Sequence, residues 1–100
     1  MDAKLKVKPL AKQYWVVYIV RCSDGSLYTG ISTDVSRRCR QHNAGVGSKY
    51  TRSRRPVRLV YQEDCSSQGS ALKREAAIKT MTKPEKLALI RLGKGLVRNS

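Results

Sequence analysis

His42 is the only histidine in the sequence, hence the only side chain whose unperturbed titration falls near neutrality, and it can shuttle a proton or hold a phosphate. Arg38, four residues earlier, can present a planar, permanently charged fork to phosphate oxygens. On a helix that spacing puts the two on one face, although flanking Arg37 and Arg40 would equally suit a solvated basic face. Hydrolysing a phosphodiester needs an activated water, a neutraliser for the charge developing on phosphorus-bound oxygens, and help for the departing oxygen; a divalent ion on a carboxylate commonly supplies the last two. The carboxylates sort by elimination. Asp2 lies in an N-terminal tail, Asp24 belongs to a turn, Asp34 suits a helix cap, Glu85 completes a capping box, and Glu63 and Asp64 end a strand. Glu75 has no such duty. It lies three residues after Leu72 and three before Ile78, in a stripe expected to face inward, where a charge is costly unless paired or bound to metal. An ion pair with Lys79 one turn later is the ordinary alternative. Tyr18 and Tyr28 are weak bases with an unperturbed pKa near 10, but cations such as Arg38, Lys49 or a metal would favour their ionised form; without such neighbours they are strand aromatics.

The elements that position these residues are legible from Tyr18 to His42. Two apolar, β-branched runs flank Asp24-Gly25, a strong hairpin signal because Gly accepts positive φ. A two-residue loop would put Tyr28 opposite Arg21 and aim it away from Tyr18. A three-residue loop, Ser23-Asp24-Gly25, instead pairs Cys22 with Ser26 and Val20 with Tyr28, so both tyrosines share a face. The second register is the one predicted, with Gly25 in a left-handed conformation and the tyrosines on the side carrying Arg38 and Glu75. Asp34 is placed to cap a helix from Val35, and Gly45 to end it.

The run from Tyr14 to Cys22 is apolar on both parities, which suits a central strand covered on both faces. Gly45 to Arg55 has no apolar periodicity and reads as a mobile cationic loop. In the next strand Val57, Leu59 and Tyr61 alternate with Arg58, Val60 and Gln62. Ser66 or Ser67 can cap a second helix bearing Ala71, Leu72, Ile78 and Met81. Thr82-Lys83-Pro84-Glu85 opens a third with a capping box, its apolar side drawn from Leu87, Leu89 and Ile90 before Gly93 ends it. The fold class is α+β: a small three-stranded antiparallel sheet with a central first strand, flanked by about three helices. Residues 1–12 read as a flexible basic arm, 13–93 as the single domain, and 94–100 as a loose tail.

Lysines and arginines number 21 against 7 acidic residues, a formal charge of +14, more than solubility requires, which implies a polyanionic partner. Nucleic acid is expected. A membrane surface is disfavoured, since the charge is scattered and no run approaches the roughly 18 apolar residues of a span. Three cysteines, Cys22, Cys39 and Cys65, have neither even number nor metal-ligand spacing, so no disulfide-linked partner or zinc site is expected. A cytoplasmic monomer follows as the expectation.

At these residues the chain resembles the GIY-YIG nuclease domain, with most likeness to its small stand-alone bacterial members. The first motif falls on Val16-Val17-Tyr18, the second on Tyr28-Thr29-Gly30, the helix arginine on Arg38 and the downstream histidine on His42; Val16, Val17 and Thr29 depart from the motif letters at strand positions where β-branching fits. The resemblance, over Tyr14 to Leu92, implies the same α+β layout and a DNA endonuclease. Tyr18 and Tyr28 would serve one as base or water-positioning group and the other as phosphate or metal-water contact. Arg38 and His42 would act at the phosphate, and Glu75, on the helix after the third strand, would hold one Mg²⁺ or Mn²⁺. Gly30, Arg37, Lys49, Tyr50, Arg52, Arg54 and Arg55 would grip the nucleic acid, probes of which should show steep salt dependence. A non-catalytic nucleic-acid-binding module and a small structural or ribosome-associated protein are the alternatives, the latter opposed by the joint presence of two tyrosines, Arg, His and Glu.

Overall fold

A computed structural model describes residues 14–99; the expected N-terminal arm lies outside the described residues. Strand β1 (Trp15–Arg21) is central in a three-stranded antiparallel sheet, between β2 (Leu27–Ser32) and β3 (Arg58–Cys65). Its apolar residues of both parities are needed because the sheet is covered on both sides. Val16, Tyr18 and Val20 pack with Cys22, Val35 and Val57 on one face. Val17 and Ile19 pack with Tyr61, Ala71 and Ile78 on the other.

The hairpin takes the three-residue loop. Val20 pairs with Tyr28 and Tyr18 with Gly30, the Cys22 N–H donates to Ser26 O at 2.8 Å, and Gly25 sits at φ 84°. Asp34 caps α1 (Val35–Asn43) by accepting from the Arg37 N–H at 3.1 Å, and Gly45 follows the helix end at φ 86°. The side-chain amide of Asn43 then pins the start of β3, accepting from Val57 N–H at 2.7 Å and donating to Val57 O at 3.0 Å.

Three expectations need correction. The segment from Gly45 to Arg55 holds a one-turn helix, α2 (Lys49–Arg52), capped by Ser48, which accepts from the Thr51 N–H; a single turn needs no apolar periodicity, and it brings the helices among the described residues to four. The alternation in β3 breaks between the pairs Ile19–Tyr61 and Val20–Leu59. The extra residue, Val60, is a bulge that puts Val57 and Leu59 in the Tyr18 cluster and Tyr61 in the opposite one. Finally, the last helix, α4 (Lys83–Asn99), does not stop at Gly93. A Cβ at Gly93 would collide with the Tyr61 ring, so this glycine lets the helix lie against β3 and does not terminate it; residues 94–99 are helical, not loose.

Helix α3 (Gln68–Lys79) is capped by Ser67, with Ser70 reciprocating. It packs across β1 and β2 while α4 packs against β3. The capping box of α4 forms as expected, Glu85 accepting from Thr82 N–H at 2.8 Å and Thr82 from Glu85 N–H at 3.3 Å. Among the described residues no helix is long and apolar enough to cross a membrane.

Candidate active site

The register that aligns Tyr18 with Tyr28 also sends both toward α1. The Tyr18 phenol lies 2.9 Å from His42 Nε2, and His42 Nδ1 lies 2.8 Å from Thr51 Oγ1. All three side chains are buried. Burial, reinforced by the nearby Tyr28 and opposed by the Arg38 cation, pushes the Tyr18 phenol up to about 12. Burial and then the same Arg38 charge push His42 below its usual 6.5. With phenol and imidazole both neutral the line has two tautomeric forms, and the one that leaves the Thr51 hydroxyl to donate to Ser48 O sets the directions. Tyr18 O–H donates to Nε2, the Nδ1–H donates to Thr51, and the Thr51 hydroxyl donates to Ser48 O at 3.3 Å. Two glycines permit this closeness. A Cβ on Gly30 would stand 2.6 Å from the Tyr18 oxygen, and one on Gly47 would strike the His42 ring.

A second line of contacts runs from this cluster to the hairpin turn. The Tyr28 ring meets His42 edge-on at 5.3 Å and stacks on Tyr50 at 5.8 Å. The Arg54 guanidinium covers the Tyr50 ring at 3.9 Å, bonds Tyr50 O at 2.9 Å and pairs with Asp24 at 3.1 Å. Tyr50 is thus in contact with both the Tyr28 ring and the Arg54 guanidinium. Arg54 and Arg55, expected to grip nucleic acid, also hold the chain itself, Arg55 through Arg52 O at 2.9 Å and Asn43 O at 3.4 Å. The side chains of Lys49 and Arg52 keep their charges unpaired among the described residues.

Where β2 ends and α1 begins, a groove of about 190 Å³ opens. Arg37, Arg38 and Gln41 line it from α1, Thr33 and Asp34 from the connection, and Trp15, Ile31 and Ser32 from the sheet. Gln41 Oε1 accepts from Arg38 at 3.2 Å, which orients that guanidinium, whereas the Arg37 side chain has no partner among the described residues.

Glu75 is not on this face. Helix α3 buries Ala71 and Ile78 in the Val17–Ile19 cluster, and Leu72, expected inside, is 48% exposed. The expectation that both tyrosines share a side with Glu75 is thus corrected: the small Ala71, not Leu72, marks the buried stripe. Glu75 lies one turn from Ala71 and keeps its side chain 17% exposed, paired with Lys79 at 3.2 Å.

A model of the GIY-YIG catalytic domain matches residues 14–88. The chain belongs to the GIY-YIG family. A UPF0213 protein of Staphylococcus aureus strain Mu3 is 60% identical over 75 residues, which span 75% of this chain and 92% of that protein. The solution NMR structure of a UPF0213 protein from Bacillus halodurans, 43% identical, covers 82% of this chain and 87% of its own with a TM-score of 0.54. That of a protein from E. faecalis, 37% identical, covers 81% and 88% with a TM-score of 0.55. The protein is therefore a small GIY-YIG domain of UPF0213 type, in a nuclease family.

For a GIY-YIG domain the fit of a metal can be tested on the donors present. Among the described residues no three His, Cys, Asp or Glu side chains converge, which excludes an all-protein cage. Mg²⁺ does not need one, since it keeps several waters and binds through one or two carboxylates. Glu75 offers a hard, mostly buried carboxylate on the sheet-facing stripe. On the same sheet face as Ile19, Thr29 carries a buried hydroxyl without a hydrogen-bond partner. A single hard carboxylate of this kind suits a hydrated Mg²⁺. Sequence reading missed Thr51, Ser48, Gly47 and the Asp24–Arg54 pair; the Ser48-x-x-Thr51 spacing, a local cap signal, could have revealed the first two.

Proposed function

We propose that this GIY-YIG domain is a metal-dependent endonuclease that hydrolyses DNA phosphodiester bonds, acting as a cytoplasmic monomer. The observation that carries the reading is the buried Tyr18–His42–Thr51 hydrogen-bond line beside Arg38. A phenol pushed up to about 12 is a poor base by itself, but its proton already points at a neutral imidazole. As a water gives its proton to the Tyr18 oxygen, the phenol proton can move to His42 Nε2, leaving hydroxide, an intact phenol and an imidazolium whose Nδ1–H is held by Thr51. Arg38, oriented by Gln41, would bind non-bridging phosphate oxygens. Tyr28 would hold the substrate side of His42 through its edge-on contact. Lys49, Arg52 and Arg37 would neutralise flanking phosphates, an interaction that weakens steeply with salt. Glu75, on the face that α3 covers, would hold Mg²⁺ or Mn²⁺ for a strand that passes round the β2 edge of the sheet, where the bound ion would supply charge neutralisation and assistance to the leaving oxygen.

The test is incubation with supercoiled plasmid and with branched DNA, with and without Mg²⁺ or Mn²⁺, for the wild type and Glu75→Gln. Metal-dependent nicking by the wild type, lost in the variant while folding and DNA binding persist, is the expected outcome. Equal cleavage in excess EDTA, or wild-type rates from the variant, would remove the metal from the reading. A second reading, a non-catalytic DNA-binding module, is favoured by the Glu75–Lys79 pair and by the packing of α3 on the sheet face opposite the tyrosines; it predicts binding with no nicking under any metal.

A further inference from the structure

The geometry points to the groove at the end of the sheet as a seat for one unpaired nucleobase, next to the phosphate that Arg38 would bind. The inference rests on the endonuclease reading for its ligand class and adds that the strand must present a base outside a duplex. At about 190 Å³ the groove is smaller than the roughly 300 Å³ where drug-sized pockets begin, which suits a single planar heterocycle and excludes a base pair. Its walls go beyond what a phosphate requires. Two arginines would serve an anion, but Asp34 also lines the groove, and a carboxylate repels phosphate while accepting from a base amino group. One Asp34 oxygen is committed to the Arg37 N–H, leaving the other for such a donor.

The same groove is lined by Trp15 and Ile31, partly buried against the Val17–Ile19 cluster, apolar surfaces with no use for an anion. An aromatic plane or a guanidinium is what an unstacked base rests on. Trp15 and Arg37 both have side chains without a hydrogen-bond or charge partner among the described residues, and Gln41, whose oxygen is held by Arg38, retains its amide N–H groups as donors. A base inside a duplex has both faces stacked and its pairing edge occupied, so it cannot use this set. Single strands, flaps and frayed junctions can.

Trp15 is the only tryptophan in the chain, so its emission reports on the groove without any substitution. The full-length protein, in EDTA, is titrated with a 12-nucleotide single strand, with its blunt duplex and with inorganic polyphosphate, binding being followed in parallel by anisotropy of labelled ligand. Saturable quenching by the single strand, and little by duplex or polyphosphate at equal occupancy, is expected. Trp15→Ala should weaken single-strand binding about tenfold and leave duplex binding unchanged, with Trp15→Phe restoring most of the loss. Equal quenching by all three ligands, or an equal loss on single strand and duplex, would overturn the base seat. A cleavage assay separates the two readings: quenching without cleavage in any metal would sink the endonuclease and leave the seat, whereas cleavage without selective quenching would do the reverse.

Discussion

Each face of the sheet carries a tyrosine whose hydroxyl is pushed up to about 12, and the two are held by opposite kinds of partner. Tyr18 donates to neutral His42, in a line that ends on the neutral hydroxyl of Thr51. Tyr61 donates at 2.6 Å to Glu63, which also accepts from Arg74 at 3.0 Å. Burial leads in both, but for Tyr61 the next cause is the carboxylate that accepts its proton. Because Arg74 already neutralises Glu63, a proton moved there would break an ion pair joining β3 to α3. A proton moved to His42 breaks nothing. Similar perturbation therefore marks a relay on one face and a strut on the other, and the acceptor tells them apart.

The widest expected separation comes from deleting each hydroxyl. Tyr18→Phe should lower DNA cleavage by about 10²-fold or more, the usual scale of a lost acid–base group, while Tyr61→Phe leaves turnover per folded molecule unchanged and costs about 1 kcal/mol of stability. Comparable losses of turnover from both in a plasmid-nicking assay would erase the distinction.

Next in size is a pair of glycine substitutions that push on the same two rings. In Gly30→Ala the new methyl would stand 2.6 Å from the Tyr18 oxygen and 2.8 Å from its Cζ, so the phenol must leave His42. Cleavage is expected to fall at least tenfold, about 1.4 kcal/mol of barrier. Gly93→Ala presses on the Tyr61 ring and should instead destabilise by about 1–3 kcal/mol, as overpacked cores do. Thermal melts and single-turnover rates on the two variants would expose any crossing of these effects.

The pH response sharpens the contrast further. Both tyrosines titrate higher in the folded state than their ordinary value of 10.0, so each contributes stability that is present below pH 10 and lost as pH rises toward 12. Either Tyr→Phe change should make the alkaline decline in Tm shallower. The acid limb belongs to the relay face. His42 is depressed below 6.5, so its contribution is present above that value and lost as pH falls through the depressed one, while the unfolded chain takes up the proton. Melts at constant ionic strength with His42→Gln should show a flatter acid limb; an unchanged limb would contradict a buried neutral imidazole.

The smallest effect concerns the exposed Asp24–Arg54 pair. Exposed pairs are screened by solvent and contribute little to stability, so Asp24→Asn should hardly change the Tm. It frees Arg54 from the hairpin turn and loosens Tyr50 on Tyr28, for which a few-fold drop in cleavage with little change in DNA affinity is expected. A drop confined to affinity would mean that Arg54 contacts the DNA directly.

Much of this architecture was legible because local chemistry and parity agreed. The Gly25 turn and the need to put Tyr18 and Tyr28 on one face fixed the hairpin register, and the Asp34 and Thr82–Glu85 caps fixed two helix starts. The bulge at Val60 was not, since either parity of an apolar pair can face a core when both faces are covered. Gly93 was misread because a glycine that admits a ring and one that ends a helix look alike without the partner. At the site, Tyr18, Tyr28, Arg38 and His42 converge as expected, but Thr51 lay hidden in a loop too short for periodicity, and the Asp24–Arg54 contact spans 30 residues. Glu75 was expected on the tyrosine side through the family likeness, but helical spacing alone does not say which sheet face a helix covers, and α3 buries Ala71 and Ile78 on the other one.

The central position of β1 also bears on synthesis. Its first neighbour, β2, follows after a three-residue loop, but β3 and the helices that cover Val17 and Ile19 come more than thirty residues later. A chain leaving the ribosome can thus close the Tyr18–His42–Thr51 line while one face of its sheet is still bare. Until α3 and α4 emerge, that apolar face and the unpaired edge of β1 offer a template for another nascent strand, so crowding of translating chains is the stage at which this small domain is most exposed to misassembly.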